Sequence, residues 1–220
     1  MEKINYYNVA IEEINKFKDL GRRPTLALHT CCAPCSSHAL EFLTPFFDVT
    51  IAYENSNIYP EAEFNKRRDE IKWFVSEFNR RNNKDVKIVF FPYDHEGYMK
   101  ELRKYAAEPE GGKRCHLCYA RHIEEILKYG SENGFDYAST TLTISRQKNS
   151  QVINEIAKEI APRFPNIKYF YSDFKKKAGL MRVREMKEEY NLYQQQYCGC
   201  EYSYRDTVLR RKDKKDTENL

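Results

Sequence analysis

No apolar run in this 220-residue sequence approaches the roughly 20 residues that a bilayer-crossing helix needs. A secretory signal is missing too: Glu2, Lys3, Glu12, Glu13, Lys16 and Lys18 interrupt the first 18 residues. There are no internal repeats and no long low-complexity stretches. These absences predict a soluble, cytoplasmic protein with no membrane partner. Excess charge of one sign is also scarce. The formal net charge is +4, which permits nucleic-acid binding without demanding it. The basic residues nevertheless cluster, at Lys175–Lys177, at Arg182 and Arg184, and at Arg210–Lys212. The segment from Lys212 to Leu220 is polar and is expected to fray. With 41% hydrophobic and 32% charged residues, the length suits one domain with a sizeable core.

What the sequence does have is cysteine. Seven are present, an odd number, and no export signal accompanies them. A reducing compartment favours metal ligation or redox chemistry over structural disulfides. None stands alone: Cys31, Cys32 and Cys35 form one group, Cys115 and Cys118 a second, Cys198 and Cys200 a third.

Hydrophobic periodicity places these groups on a framework. Helices are expected over 4–20, from Pro34 to Leu43, and over 61–79, 98–106, 116–133, 149–160 and 180–190. Short β-rich runs are expected at 25–29, 48–53, 86–91, 135–140 and 167–171. The alternation predicts an α/β fold, a single domain with a largely parallel sheet and helices on both faces. Ligands of such sheets bind beyond the strand C-termini, which is where the first cysteine group falls.

His29-Thr30-Cys31-Cys32-Ala33-Pro34-Cys35 puts three thiols at a strand-to-helix turn, where a helix N-terminus stabilises thiolates. Cys115-His116-Leu117-Cys118 is a C-x-x-C at a helix start. Together they offer five sulfurs, one more than a tetrathiolate site requires. Adjacent Cys31 and Cys32 make an awkward zinc knuckle, because neighbouring side chains diverge, so the spacing favours an iron–sulfur cluster over zinc. Inert buried thiols or a dithiol site are the remaining alternatives. Cys198-Gly199-Cys200 is too tight for a stabilising disulfide and would form a labile bridge, bind a metal, or simply make a small turn. The hydroxyls of Thr140–Ser145 suit a phosphate or ribose, or an ordinary capped loop. Asp94 and Asp173 stand where a proton donor or extra ligand would, although Asp at a loop start commonly caps a helix or turn. The five histidines share no spacing, and none is assigned as a ligand.

The strings LALHTCCAPCSSHALEFL, NIYPEAEFNKRRDE, AAEPEGGKRCHLCYARHIEE, GFDYASTTLTISRQKN and SDFKKKAGLMRVREMKEEYNLYQQQYCGC resemble the cobalamin-independent (QueH-type) epoxyqueuosine reductases. The likeness spans roughly 25–203, leaving an N-terminal helix (1–24) and a basic polar tail (204–220) outside it. It implies reduction of epoxyqueuosine to queuosine at the wobble position of tRNA, the last step of queuosine formation. It implies a [4Fe-4S] cluster on Cys31, Cys32, Cys115 and Cys118, without cobalamin. Cys198 and Cys200 would be a redox-active pair or ligands of an additional iron, which would recruit a carboxylate such as Asp94 or Asp173. Cys35 is left ambiguous. The implied partners are the anticodon loop of tRNA and an electron donor. The implied fold is similar to the PP-loop-like nucleotide alpha-hydrolase (Rossmann-like) proteins, but no Gly-rich Walker-type loop is present, so ATP use is not implied. Single-stranded RNA would stack on tyrosines, of which Tyr193, Tyr197, Tyr202 and Tyr204 flank the third cysteine group. Phosphates would meet Lys175–Lys177, Arg182, Arg184 and Arg210–Lys212. Two rival classes are an ATP-dependent tRNA-modifying enzyme and a zinc-stabilised RNA-binding module.

Overall fold

A computed structural model describes residues 3–218, excluding the side chains of Lys18, Asp19 and residues 211–218. Among the described residues there are five strands, β1 (Thr25–His29), β2 (Asp48–Tyr53), β3 (Lys87–Phe90), β4 (Tyr137–Thr140) and β5 (Lys168–Tyr169). They alternate with helices α1 (Tyr6–Asn15), α2 (Ala33–Leu43), α3 (Glu61–Asn82), α4 (His95–Leu102), α5 (Lys113–Glu132), α6 (Ser150–Ile160), α7 (Gly179–Glu189) and α8 (Glu201–Glu218). Every strand pairing is parallel, in the order β3-β2-β1-β4-β5. The α/β fold expected from the alternation is therefore what the chain forms, with a Rossmann-like strand order.

Period-two alternation along the strands creates the two buried faces. Leu26, Leu28, Val49 and Ile51 pack with Ile14 of α1, Leu40 of α2, Ile71 and Phe74 of α3, and Met186 of α7. Ala27, Ala52 and Ala138 face the other way, against Ile123 and Leu127 of α5 and Ile153 and Ala157 of α6. Small residues on this second face let α5 lie close. A Cβ added at Gly130 would come within 2.4 Å of Ile167 Cδ1 and 3.4 Å of Ala27 Cβ.

Three boundaries differ from expectation in ways that matter to the site. α4 begins at His95 rather than 98, because the Asp94 carboxylate caps it by accepting from Gly97 N at 2.9 Å. α5 begins at Lys113, so Cys115 sits inside its first turn. The polar segment expected to fray is instead α8, which continues through Glu218. Its start is anchored by Tyr202, buried against Tyr98, Met99 and Leu102. Its remaining residues lack the apolar periodicity that would have revealed a helix.

The strand order reverses beside β1. The chain leaves β1 for β2 and β3 on one side and returns to β4 on the other. The crevice beyond the C-termini of β1 and β4 is the topological switch point, the usual ligand position in such sheets. Cys31 follows β1 and Thr141 follows β4 at this crevice.

Candidate metal centre

Cys32 is the N-cap of α2. Its extended backbone (φ −168°) turns its Sγ back to accept from Cys35 N at 3.3 Å. This turn brings the Cys31 and Cys32 sulfurs to 3.8 Å, so the adjacent side chains converge rather than diverge as expected. Cys35 joins them, and the three sulfurs lie within 4.8 Å of one another. Divergence was the argument against a zinc knuckle, and it does not hold for this pair. The Cys31 thiol is held well below its usual range by hydrogen bonds from Cys32 and Cys35, whereas burial pushes the Cys32 thiol up.

The second and third groups meet the first around a single small cavity. Cys31, Cys115, Cys118, Cys198 and Cys200 all line it, together with Asn57, His122 and Lys148. Cys115 Sγ accepts from Gly111 N at 3.2 Å. Cys118 lies one turn further along α5, with the Tyr98 hydroxyl 3.3 Å from its sulfur. That hydroxyl is also 3.2 Å from His122 Nε2, and His122 Nδ1 is 3.0 Å from Glu54 Oε2. Burial opposes charge on His122, but the Cys118 sulfur and the Glu54 carboxylate prevail and raise it to about 10. Burial likewise opposes charge on Glu54, yet His122 holds it near 2. The His29 ring stacks on His122 at 4.3 Å, and burial drives His29 down to about 3, so it stays neutral.

The Cys-Gly-Cys turn is fastened from outside. Arg67 of α3 is fully buried, and its guanidinium donates to Cys198 O (3.2 Å), Tyr197 O (3.4 Å) and Glu63 Oε1 (2.8 Å). Tyr59 N donates to Gly199 O at 2.8 Å. Gly199 has φ +144° and leaves no free room for a side chain, with Ile58 Cγ1 at 3.3 Å from an added Cβ. Lys148 donates to Cys198 Sγ at 3.1 Å. Burial disfavours the Lys148 charge, but Cys198 and Cys31 outweigh it and its pKa is raised. Burial together with the Cys198 charge pushes Cys200 up to about 11.

The expected carboxylates are engaged elsewhere. Asp94 caps α4, while Asp173 accepts from Ser150 Oγ (2.8 Å) and Lys175 N (3.3 Å). Neither lines the cysteine cavity. Arg182 is bonded to Glu41 and Glu185, Lys175 points inward, and the side chains of Arg211 and Lys212 lie outside the described residues. Among the four tyrosines, Tyr197 lines the open groove beside the cavity, while Tyr202 is buried and lines the cavity itself. Unassigned from sequence, but present in or against the site, are Glu54, Arg67, Tyr98, His122, Lys148 and Gln195. Gln195 Nε2 donates to Cys32 Sγ at 3.1 Å.

The residues fit a thiolate-bound metal group. Five of the seven free cysteines line one cavity, Cys32 and Cys35 stand beside Cys31 at its edge, and Asn57 Oδ1 is buried there without a partner. Such a site, at the switch point of a Rossmann-like parallel sheet, defines an α/β protein whose clustered cysteines could hold a metal ion. The sequence profile described as Epoxyqueuosine reductase QueH matches residues 26–206, and the chain belongs to that family. A relative with that name in Streptococcus pyogenes is 40% identical over 218 residues, covering 97% of this chain and 85% of the relative. Another in Staphylococcus epidermidis is 39% identical over 204 residues, covering 92% and 85% respectively. The namesake in Thermotoga maritima is 30% identical over 196 residues, covering 86% and 93%. No described helix is long and apolar enough to cross a membrane.

Proposed function

We propose that this chain is an epoxyqueuosine reductase of the cytoplasm, converting epoxyqueuosine to queuosine in the anticodon loop of tRNA at the wobble position. The observation that carries this reading is a shared wall: Cys31, Lys148 and Cys198 line both the small cysteine cavity and the larger groove beside it. A substrate ring entering from the groove meets the thiol site at those three side chains.

The reading assigns a [4Fe-4S] cluster to Cys31, Cys32, Cys115 and Cys118. Cys35 is a further ligand candidate, supported by its place in the tight triad. Cys198 and Cys200 act as a redox pair or hold an additional iron. Removing the epoxide oxygen breaks both its C–O bonds, leaves an alkene, and takes two electrons and two protons, the oxygen departing as water. A bound cluster would supply electrons singly and an electrophilic iron. The chain's own residues do the rest. Lys148 donates to the Cys198 sulfur and holds a proton at the mouth of the cavity. Tyr98, His122 and Glu54 orient Cys118 from behind, as supporting partners of metal ligands commonly do. Arg67 fixes the turn that carries Cys198 and Cys200. Asp94 and Asp173, already engaged as a cap and a turn acceptor, take no proton role in this scheme.

The test is metal and acid-labile sulfide content of anaerobically purified protein, with turnover of epoxyqueuosine-containing tRNA under a chemical reductant. Four irons with matching sulfide are expected, or one iron more if Cys198 and Cys200 bind a separate ion. Cys198→Ser should keep the sulfide and lose turnover. Stoichiometric zinc without sulfide, with no turnover, would replace this reading by the zinc-stabilised binding module.

A further inference from the structure

We propose that the open groove beside the cysteine cavity carries the sugar–phosphate backbone of the substrate RNA, and that Arg146, Arg184 and Lys187 bind its phosphates. The inference rests on the tRNA reading above and deepens it. The groove has a volume of about 430 Å³, within the range of about 300–1,000 Å³ of small-ligand clefts. Its walls are the 144–148 loop, one face of α7, and the segment 194–198. Four cations line it, the three named and Lys148, and no Asp or Glu does. In a chain with 37 Lys and Arg against 33 Asp and Glu, that segregation is a local positive field, and it opens directly onto Cys31 and Cys198.

The partners of each cation separate available charge from committed charge. Arg146 is exposed, and neither it nor Lys187 makes an ion pair among the described residues. Arg184 meets Glu188 at 3.4 Å on an open surface, a pair of small worth. Arg184 and Lys187, three residues apart on α7, share one helix face. By contrast, two cations expected from the sequence to meet phosphate are already satisfied. Lys175 Nζ donates to Lys148 O at 2.7 Å and Ser145 O at 3.2 Å. Arg182 holds Glu41 at 2.7 Å and Glu185 at 3.0 Å.

The same loop therefore serves two sites. Lys175 pins its backbone, Arg146 extends into the groove, and Lys148 reaches back to Cys198. On the opposite wall Gln195 Oε1 is buried without a partner and lines the groove. A small cavity that shares a wall with a polar, cationic groove suits a nucleotide displaced from its stack, which single-stranded loops supply.

The experiment measures binding of an unmodified anticodon stem-loop RNA to the metal-loaded protein by anaerobic fluorescence anisotropy, from about 50 to 200 mM salt. Each single-strand phosphate contact contributes about 0.7 to the log–log salt slope. Arg146→Ala/Arg184→Ala/Lys187→Ala should flatten the slope by about 2, so that the wild type loses about 20-fold more affinity across that range than the variant does. The single reversal Arg146→Glu should weaken binding with metal content unchanged, and Arg182→Ala should leave the slope as it is. A steep wild-type slope that the triple variant and Arg146→Glu leave intact would overturn the groove assignment while the reductase reading stands. A wild type whose RNA binding ignores salt would remove the RNA reading and the groove together.

Discussion

Arg67→Met is the substitution with the largest consequence worked from this structure. Arg67 is fully buried, and Glu63, its ion-pair partner, has only 11% of its side chain exposed. Removing one partner of a buried pair strands the other charge and typically costs about 3–5 kcal/mol. Two carbonyls, Cys198 O and Tyr197 O, lose their donor as well. Against a total stability of about 5–15 kcal/mol for a domain, about a fifth or more is at stake. Arg67→Lys separates the two parts of this effect. An ammonium can keep Glu63 company but has no fork to reach both carbonyls, so it should cost about 1–3 kcal/mol and act chiefly on the Cys-Gly-Cys turn.

Urea unfolding of the metal-free protein reports the stability change for both variants, and alkylation of Cys198 reports the turn. In the wild type the turn is held from α3 and from Tyr59, and Cys198 lies against Lys148. Arg67→Lys should change the Cys198 alkylation rate more than its modest stability loss implies, and should lower metal occupancy. The reasoning fails if Arg67→Met unfolds within about 1 kcal/mol of wild type, or if Arg67→Lys leaves Cys198 reactivity and metal content untouched.

Two further outcomes are expected. Gly199→Ala places a side chain at φ +144° and within 3.3 Å of Ile58 Cγ1, so it should destabilise the fold by about 1–3 kcal/mol and displace Cys198 and Cys200, read as lost turnover with sulfide retained. Far from the site, Asp136 accepts two bonds from Arg22, both at 2.7 Å, and others from Thr25 N and Oγ1, tying the starts of β1 and β4 together. Chiefly the Arg22 guanidinium holds its carboxyl well below the usual range. A depressed carboxyl stabilises above its unfolded pKa of about 3.9 and loses that contribution as pH falls through the folded value. Asp136→Asn should therefore be less stable than wild type at neutral pH, with the gap closing below about pH 4; a gap of constant size down to pH 2 would contradict the linkage.

The sheet was legible because its signals are local. Five β-rich runs separated by helical periodicity need no knowledge of tertiary contacts, and cysteine spacing marked the crevice at the end of β1. Some of the site was written in the same code but needed the helix face to be read. Arg67 lies three residues after Phe64 and four before Ile71, on the buried stripe of α3, where a charge demands a partner. His122 lies four residues after Cys118, on the same face of α5. Glu54 follows β2 at the ligand-binding edge of the sheet. Lys148 and Gln195 offered no such signal, because they reach the thiols from loops whose path only tertiary packing determines. The convergence of Cys31 and Cys32 was hidden for a related reason: it depends on the backbone angle of a helix cap, not on the spacing of residue names. α8 escaped because a single buried tyrosine anchors it.

The residues found only in three dimensions share one physical task. Thiolates gathered in a crevice repel one another and lose hydration, so their charge must be met by donors fixed before any metal arrives. The donors come from separate elements: Lys148 from a loop pinned by Lys175, Gln195 from the segment after α7, the amide of Cys35 from the start of α2, and Tyr98 with His122 from α4 and α5. Cys118 and Glu54 hold His122 charged, and neutral His29 stacks on the His122 ring without adding charge. Each sulfur group thus has its own support, and Lys148 and Cys198 stand with Cys31 and Leu142 at the boundary with the groove. In the proposed reductase that division would let the inner sulfurs be held rigidly while the outer sulfur and its ammonium meet the substrate, the arrangement needed if electrons are to come from within and the oxygen is to leave outward.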